Sequence, residues 1–308
     1  MIRGTILALG AALGLASPAL AQERITIGTG GTGGLFYVIG AGMAEQINDN
    51  MDGAFARAEV TGASVENIRR VAADQLTFGF SSSSTLYEGK NGQGPFEGDP
   101  QAVAAMAYLY PAVLQIAVAA DSGIETIDGL AGKRISLGPP GSNSAVIAER
   151  LLAAYGVTDA APEYLSYTEG VDALLNGTVD AVTVLAGAPT AALIDLSAQR
   201  DMRLLPVDAD KVAGMLEQYP FYQVTEIDAG TYEGQDAPVA LINDPATIFT
   251  AADADPALVQ SIMAAVFDHL DTLAEVHPQA KAITKADAPN TPIDLHPGAQ
   301  AYFDGAGN

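Results

Sequence analysis

The chain has 308 residues, 49% of them apolar, with 37 acidic against 14 basic side chains, a net charge of −23 and no cysteine. A protein this acidic is a poor partner for nucleic acid and for anionic lipid surfaces, and without thiols it has no disulfide, thiolate nucleophile or zinc–thiolate site. Its length and apolar fraction supply a large packed core and predict about two domains.

The first stretch, MIRGTILALGAALGLASPALA, has one early cation at Arg3, an apolar segment from Ile6 to Leu15, and Ala19-Leu20-Ala21 at its end. This pattern predicts a secretory signal peptide over residues 1–21, cleaved after Ala21. As a membrane anchor the segment is short, and Gly10, Gly14 and Pro18 break it. Cleavage leaves residues 22–308 with a net charge of −24, and no later segment is apolar for long enough to span a bilayer.

Short apolar runs then alternate with segments of helical period, which is the pattern of α/β layers. RITIGTG reads as a strand, followed by a helix with Phe36, Ile39, Met43 and Ile47 on one face. FARAEVTG predicts a strand, Ser64 opens a helix carrying Val65, Ile68 and Val71, and LTFGF is a third strand. SSSSTLY, Ser81 to Tyr87, follows it, and Gly89 to Pro100 reads as a surface loop. The run AVAAMAYLYPAVLQIAVAA is long, apolar and interrupted at Pro111.

A second α/β block opens at KRISLGPPGSNSAVIAERLLAAYG, a strand, a Gly-Pro turn and a helix with Ile147, Leu151 and Leu152 inward and Gly156 at its end. A helix over Thr168 to Asn176, the strand TVDAVTVLAG, a helix near Pro189 and the strand MRLLPVD complete it. From Val224 to Ile242 the chain leaves this block, and VALIN and PATIFTAAD read as return strands. One last long helix is expected, capped by Asp255, with Leu258, Ile262, Val266, Leu270 and Leu273 as its stripe and Pro278 as its stop. The first lobe is then discontinuous, 22–115 plus 240–308, the second is 116–239, and a ligand cleft lies between them.

Two glycine-rich strand-to-helix turns, GTGGTGG in the first lobe and GPPGSNS in the second, are the constellation with chemical meaning. Glycine backbone approaches a ligand closely, and a helix start presents free N–H groups and the positive end of the helix dipole. Both turns therefore suit an anion, with Thr29, Thr32, Ser142, Asn143 and Ser144 adding side-chain bonds. Ser81 to Tyr87 and the turn Gly187-Ala188-Pro189-Thr190 occupy similar strand-to-helix positions. Gly28, Gly30 and Gly33 also satisfy the dinucleotide pattern, which would make a periplasmic oxidoreductase. That reading needs an acid at the end of the second strand, and Glu59-Val60-Thr61-Gly62 supplies none after Glu59. No serine-hydrolase elbow, phosphate-binding lysine loop or zinc-helix motif is present. His269, His277 and His296 read as structural, and Asp172 with Asp180 as a solvated face. No catalytic residue, metal or cofactor is expected.

Nine strings in one order, ITIGTGGTGG, VTGASVENIR, KNGQGPF, GKRISLGPPGS, LAGAPT, RLLPVD, YPFY, AGTYEGQD and DLHPGA, resemble the TAXI class of solute receptors of tripartite ATP-independent periplasmic (TRAP) transporters. The resemblance implies a two-lobed periplasmic binding protein of type II, each lobe a mixed α/β layer. It would close on a small organic acid and pass it to integral-membrane permease subunits, without inserting into the membrane itself. The ligand-binding positions it implies are Thr29, Gly31, Thr32 and Gly33; Ser82, Ser84 and Tyr87; Pro139, Gly141, Ser142, Asn143 and Ser144; and Gly187, Ala188 and Pro189. Tyr37, Tyr110 and Tyr222 would shape the cleft. Where the family often reads V-Q-S-D-x-x-Y and G-S-G-T-E, this chain has Ser81 to Tyr87 and Gly141 to Ala145, with neither acid. An oxo acid or dicarboxylate is therefore expected over a glutamate-like amino acid. Arg69, Arg70 and Arg134 are expected at the surface. The same fold could also signal to a membrane kinase instead of a permease.

Overall fold

In the computed structural model, which describes residues 23–219 and 221–306, the chain opens with three parallel strands. The signal peptide read over 1–21 lies outside the described residues. β1 (Glu23–Gly28) lies between β2 (Ala54–Glu59) and β3 (Phe78–Ser82), with Glu23 opposite Ala54 and Gly28 opposite Glu59. The connections are α1 (Leu35–Asn50) and α2 (Ser64–Ala72). The stripe Ile39, Met43 and Ile47 packs on Ile25 and Ile27 with no exposed surface, each such side chain contributing roughly 1.5–3 kcal/mol. Replacing one of them with alanine would cost about 2–5 kcal/mol.

The serine run is not a loop. Ser81 and Ser82 end β3, Ser83 starts α3 (Ser83–Asn91), and all four serines are buried. After β4 (Val103–Tyr110), Pro111 does what its missing N–H dictates: it ends the strand and turns the chain into a different sheet. β5 (Val113–Ala119) is the centre of that second sheet. Around it come β6 (Arg134–Ser136), α4 (Asn143–Ala154), β7 (Ala161–Glu163), α5 (Tyr167–Leu175), β8 (Ala181–Ala186), α6 (Ala191–Gln199), β9 (Met202–Leu204), α7 (Ala209–Gln218), β10 (Gln223–Ile227) and β11 (Val239–Asn243). Then β12 (Ala246–Ala251) returns to the first sheet, and α8 (Pro256–Phe267), α9 (Leu270–Val276) and α10 (Pro297–Ala306) cover its far side.

The first sheet has the order β2-β1-β3-β12-β4 and the second β10-β11-β5-β8-β6-β7, with β9 also paired to β5. Both are mixed: β12 runs antiparallel to β3 and β4, and β5 antiparallel to β8, β9 and β11, while β6 is parallel to β7 and β8. The strands change sheets at Pro111-Ala112 and Asp244-Pro245, where the Asp244 N–H donates to the Ala112 carbonyl at 2.7 Å. Residues 113–115 and 240–243, placed with the first lobe from sequence, thus run in strands of the second sheet. The final helix is also not continuous. His269 (φ −127°, ψ 33°) leaves the helical region between α8 and α9, and its carbonyl accepts the Gln46 side chain of α1 at 2.6 Å.

Candidate functional site

Four helix starts meet in the opening between the sheets. α1 follows the glycine loop, α2 follows β2, α3 follows β3 without a loop, and α4 follows the Gly-Pro turn. Gly30, Gly31, Gly34, Leu35 and Phe36 at the first start border one cavity with Ala63 and Ser64 at the second, Ser82 at the third, and Pro139, Ser142, Asn143 and Ser144 at the fourth; Tyr167 and Leu185 complete its wall. α1 and α4 have no side chain capping their first N–H groups. Their positive ends are therefore free to meet an anion. The hydroxyls of Ser82 and Ser142 and the Oδ1 of Asn143 are buried without a hydrogen-bond partner. No lysine, arginine, aspartate or glutamate borders the cavity among the described residues.

The cavity measures about 20 Å³, room for roughly one or two waters. A solute of several heavy atoms enters only when the lobes part. Several contacts hold them together. Val65 N–H donates to the Gly141 carbonyl at 3.0 Å, and the Thr190 hydroxyl to the Gly33 carbonyl at 3.1 Å. Two glycines permit the approach: a Cβ at Gly62 would stand 2.5 Å from the Pro140 carbonyl oxygen, and one at Gly33 2.8 Å from Thr168 Oγ1.

The glycine loop is anchored from below by buried Asn67, whose Nδ2 donates to the carbonyls of Thr29 at 2.7 Å and Phe80 at 2.9 Å. Beside it Ala63 has φ 70° and ψ −142°, a conformation that costs an alanine on the order of 1–3 kcal/mol. It is held by the Thr61 hydroxyl, which accepts the Ala63 N–H at 3.0 Å, and by the Asn67 N–H on the Ala63 carbonyl at 2.8 Å. Strain of this kind at the cavity wall is stored where α2 aims its first turn inward.

Behind Ser84 and Asn143 stands a carboxyl that sequence reasoning missed. Asp244, at the second crossing between sheets, has no exposed surface. Its Oδ1 accepts the Ser84 N–H at 3.0 Å, capping α3, and its Oδ2 accepts the Ser84 hydroxyl and Asn143 Nδ2, the latter at 2.6 Å. Burial pushes this carboxyl up to about 7, against the three donated bonds, with the Glu88 charge adding to the rise. Only its contacts identify it, since Asp99-Pro100 and Asp255-Pro256 show the same dipeptide and Asp255 merely caps α8.

A second polar link crosses between the lobes further along α3 and α4. Arg150 Nη2 lies 2.6 Å from Glu88 Oε1, its Nη1 donates to the Tyr222 hydroxyl at 2.6 Å, and its guanidinium lies 4.1 Å from the Tyr219 ring centre. Both charged side chains are largely buried, Glu88 to 3% exposure. Burial raises the Glu88 carboxyl, and the Arg150 charge opposes that rise.

The sequence-derived positions divide into three groups. Gly31, Ser82, Pro139, Ser142, Asn143 and Ser144 border the cavity. Gly33, Gly141 and Ser84 make the contacts between lobes just described, and Gly187 joins them, since a Cβ there would be 2.7 Å from Leu35 Cδ1; Tyr222 sits behind that seam, in the second core, holding Arg150. The others do not border the cavity. The Thr29 hydroxyl is committed to the Glu59 carbonyl at 2.7 Å, Thr32 is exposed, and Tyr37 is half-buried on α1. Ala188 and Pro189 share a cis peptide bond beyond the cavity. Tyr87 packs on Phe221 in an outer groove, and Tyr110 sits wholly inside the first core, where burial raises its hydroxyl. Phe36, Ala63, Ser64, Tyr167 and Leu185 were not foreseen.

Arg69 lies against Phe96, Arg70 pairs with Glu59 and Glu66, and Arg134 pairs with Asp180, all at the surface. β2 ends at Glu59, so an acid does stand at the strand end where a ribose would need one. Its carboxylate is held by Arg70 at 2.5 Å and Arg57 at 3.4 Å. His277 Nδ1 accepts the Gln279 N–H and His296 Nδ1 the Gly298 N–H, so each stabilises a local turn. Among the described residues no helix is long and apolar enough to cross a membrane.

Two lobes, each a mixed sheet flanked by helices, joined by two strand crossings and enclosing a cleft lined by helix starts, define the type II periplasmic binding-protein fold. Solved structures share it. MatC from Rhodopseudomonas palustris with bound malate is 14% identical, over 91% of this chain and 97% of that one, with a TM-score of 0.59. The periplasmic binding protein BugD is 14% identical over 92% and 94%, also at 0.59. A putative L-cystine ABC transporter protein from Listeria monocytogenes is 14% identical over 87% and 99%, at 0.54. The sequence pattern of the NMT1-like family matches residues 27–307, and the chain belongs to that family.

Proposed function

We propose that this protein is a periplasmic receptor of the TAXI class for a TRAP-type secondary transporter, which captures a small carboxylate by lobe closure and delivers it to membrane permease subunits, with no catalytic step. The observation that carries this reading is the convergence of unpartnered donors from both lobes on one cavity that has no fixed charge on its wall. Free N–H groups at the starts of α1 and α4, with the hydroxyls of Ser82 and Ser142, suit an anion that must be released again. Backbone donors hold a carboxylate without a cation. The signal-peptide pattern and the fold support a place outside the cytoplasm, and MatC, which shares the fold, is solved with bound malate.

The oxo-acid preference expected from sequence rested on the lack of acids at 81–87 and 141–145. Asp244 brings a carboxyl between those two segments, so that preference is withdrawn. The test is a thermal-shift screen of residues 22–308 against carboxylic acids, amino acids, sulfonates and nucleotides. A ligand at a hundred times its Kd stabilises by about 2.7 kcal/mol, a shift of several degrees. A shift with carboxylates supports the receptor; a shift with sulfonates or nucleotides alone overturns it.

A further inference from the structure

Among the described residues, Asn143 is the one side chain that both borders the cavity and bonds directly to the buried Asp244. Its Nδ2 donates in two directions, to Asp244 Oδ2 at 2.6 Å and to Ser84 Oγ at 3.1 Å. Both amide hydrogens are thereby used. The Ser84 hydroxyl accepts from Asn143 and donates its own hydrogen to Asp244, so with Asp244 ionised the three groups form a closed set in which the amide cannot turn over. A flipped amide would set its oxygen against two acceptors. Asn143 is 1% exposed, and its Oδ1 is buried with no partner.

Building on the receptor reading above, we propose that Asp244 and Ser84 fix Asn143 with its oxygen as a hydrogen-bond acceptor for the solute, which therefore carries an ammonium or hydroxyl donor beside its carboxylate. The solute class is an amino acid or hydroxy acid, and an oxo acid of the same skeleton is discriminated against. Helix starts and serine hydroxyls receive the carboxylate; Asn143 reads the neighbouring group. Asp244 is a positioning residue, since it touches Asn143 and Ser84 and does not border the cavity. The groups that face it are Ser84 and Glu88 on α3, Asn143 on α4 and Tyr222 ahead of β10, with Arg150 neutralising Glu88.

The experiment is titration calorimetry on residues 22–308 with matched skeletons: pyruvate, lactate and alanine; succinate, malate and aspartate; 2-oxoglutarate, 2-hydroxyglutarate and glutamate. Within the skeleton that binds, the hydroxyl or ammonium member is expected to bind about ten- to a hundredfold tighter than the member without a donor, because the latter leaves a buried acceptor unpaired. Asp244→Asn frees the Asn143 amide to turn, and the preference shrinks toward unity or reverses while carboxylate binding persists. A merely structural role would weaken all members alike and leave the ratio intact. Equal or tighter binding of the donor-free member by the unaltered protein overturns the proposal, as does an unchanged ratio in Asp244→Asn. Silence with all nine acids overturns the carboxylate reading itself, and this inference with it.

Discussion

Replacing Asp244 with asparagine removes a buried carboxyl whose cost depends on pH. In the folded chain this group takes up its proton at about 7, against an ordinary value of 3.8. Between those limits the folded protein holds a proton that the unfolded chain has released, so stability falls as pH rises. The contribution is fully present below 3.8 and lost above about 7. Three pH units at about 1.4 kcal/mol each give a loss of about 4 kcal/mol. Burial outweighs the bonds from Ser84 and Asn143 here, which otherwise favour the charged form. Asp180 and Asp268 are shifted the opposite way by Arg134 and Lys285, but their effects cancel when the variant is compared with the parent at each pH. Urea unfolding followed by far-UV circular dichroism at pH 4 to pH 8 measures both. The asparagine variant is expected to gain on the parent steadily across this range, by up to about 4 kcal/mol. Curves that stay parallel to within about 0.5 kcal/mol would refute the burial argument.

Arg150→Met strands the Glu88 carboxylate, and unfolding free energy is expected to drop by about 3–5 kcal/mol, with much of it recovered in the Glu88→Gln, Arg150→Met pair; denaturant melts of the four proteins in the cycle decide. Ser82→Ala removes a hydroxyl that bonds to no other residue, so stability should change by less than about 0.5 kcal/mol while solute affinity falls about five- to tenfold in calorimetry. Gly62→Ala puts a Cβ 2.5 Å from the Pro140 oxygen only while the lobes are together. It is expected to leave the melting temperature of the solute-free protein nearly unchanged, to weaken binding at least about tenfold, and to keep the scattering radius from shrinking on solute addition. Normal affinity in that variant would mean that the lobes close without the Gly62–Pro140 contact.

The α/β alternation was legible because a strand or helix announces its buried face locally. Ile39, Met43 and Ile47 recur at helical spacing, and all three are core. Gly156, expected at the end of α4, does adopt φ 70° there. The final helix was misread because its apolar stripe continues through His269. The break depends on Gln46, 223 residues away, which takes the His269 carbonyl. The crossings were placed a few residues late or early for a related reason: an apolar strand has the same pattern whichever sheet it joins.

The candidate site divides in the same way. Glycine turns before helices are local features, and the sequence by itself determined that Gly31, Pro139 and Ser142 stand in turns that lead into helices. It could not determine that those starts share a cavity, because that follows from how two sheets pack. Still less could it single out Asp244, which lies 160 residues from Ser84 and 101 from Asn143. Burial, and with it the cost of a charge and the orientation of the Asn143 amide, is created by neighbours that only the tertiary structure brings together.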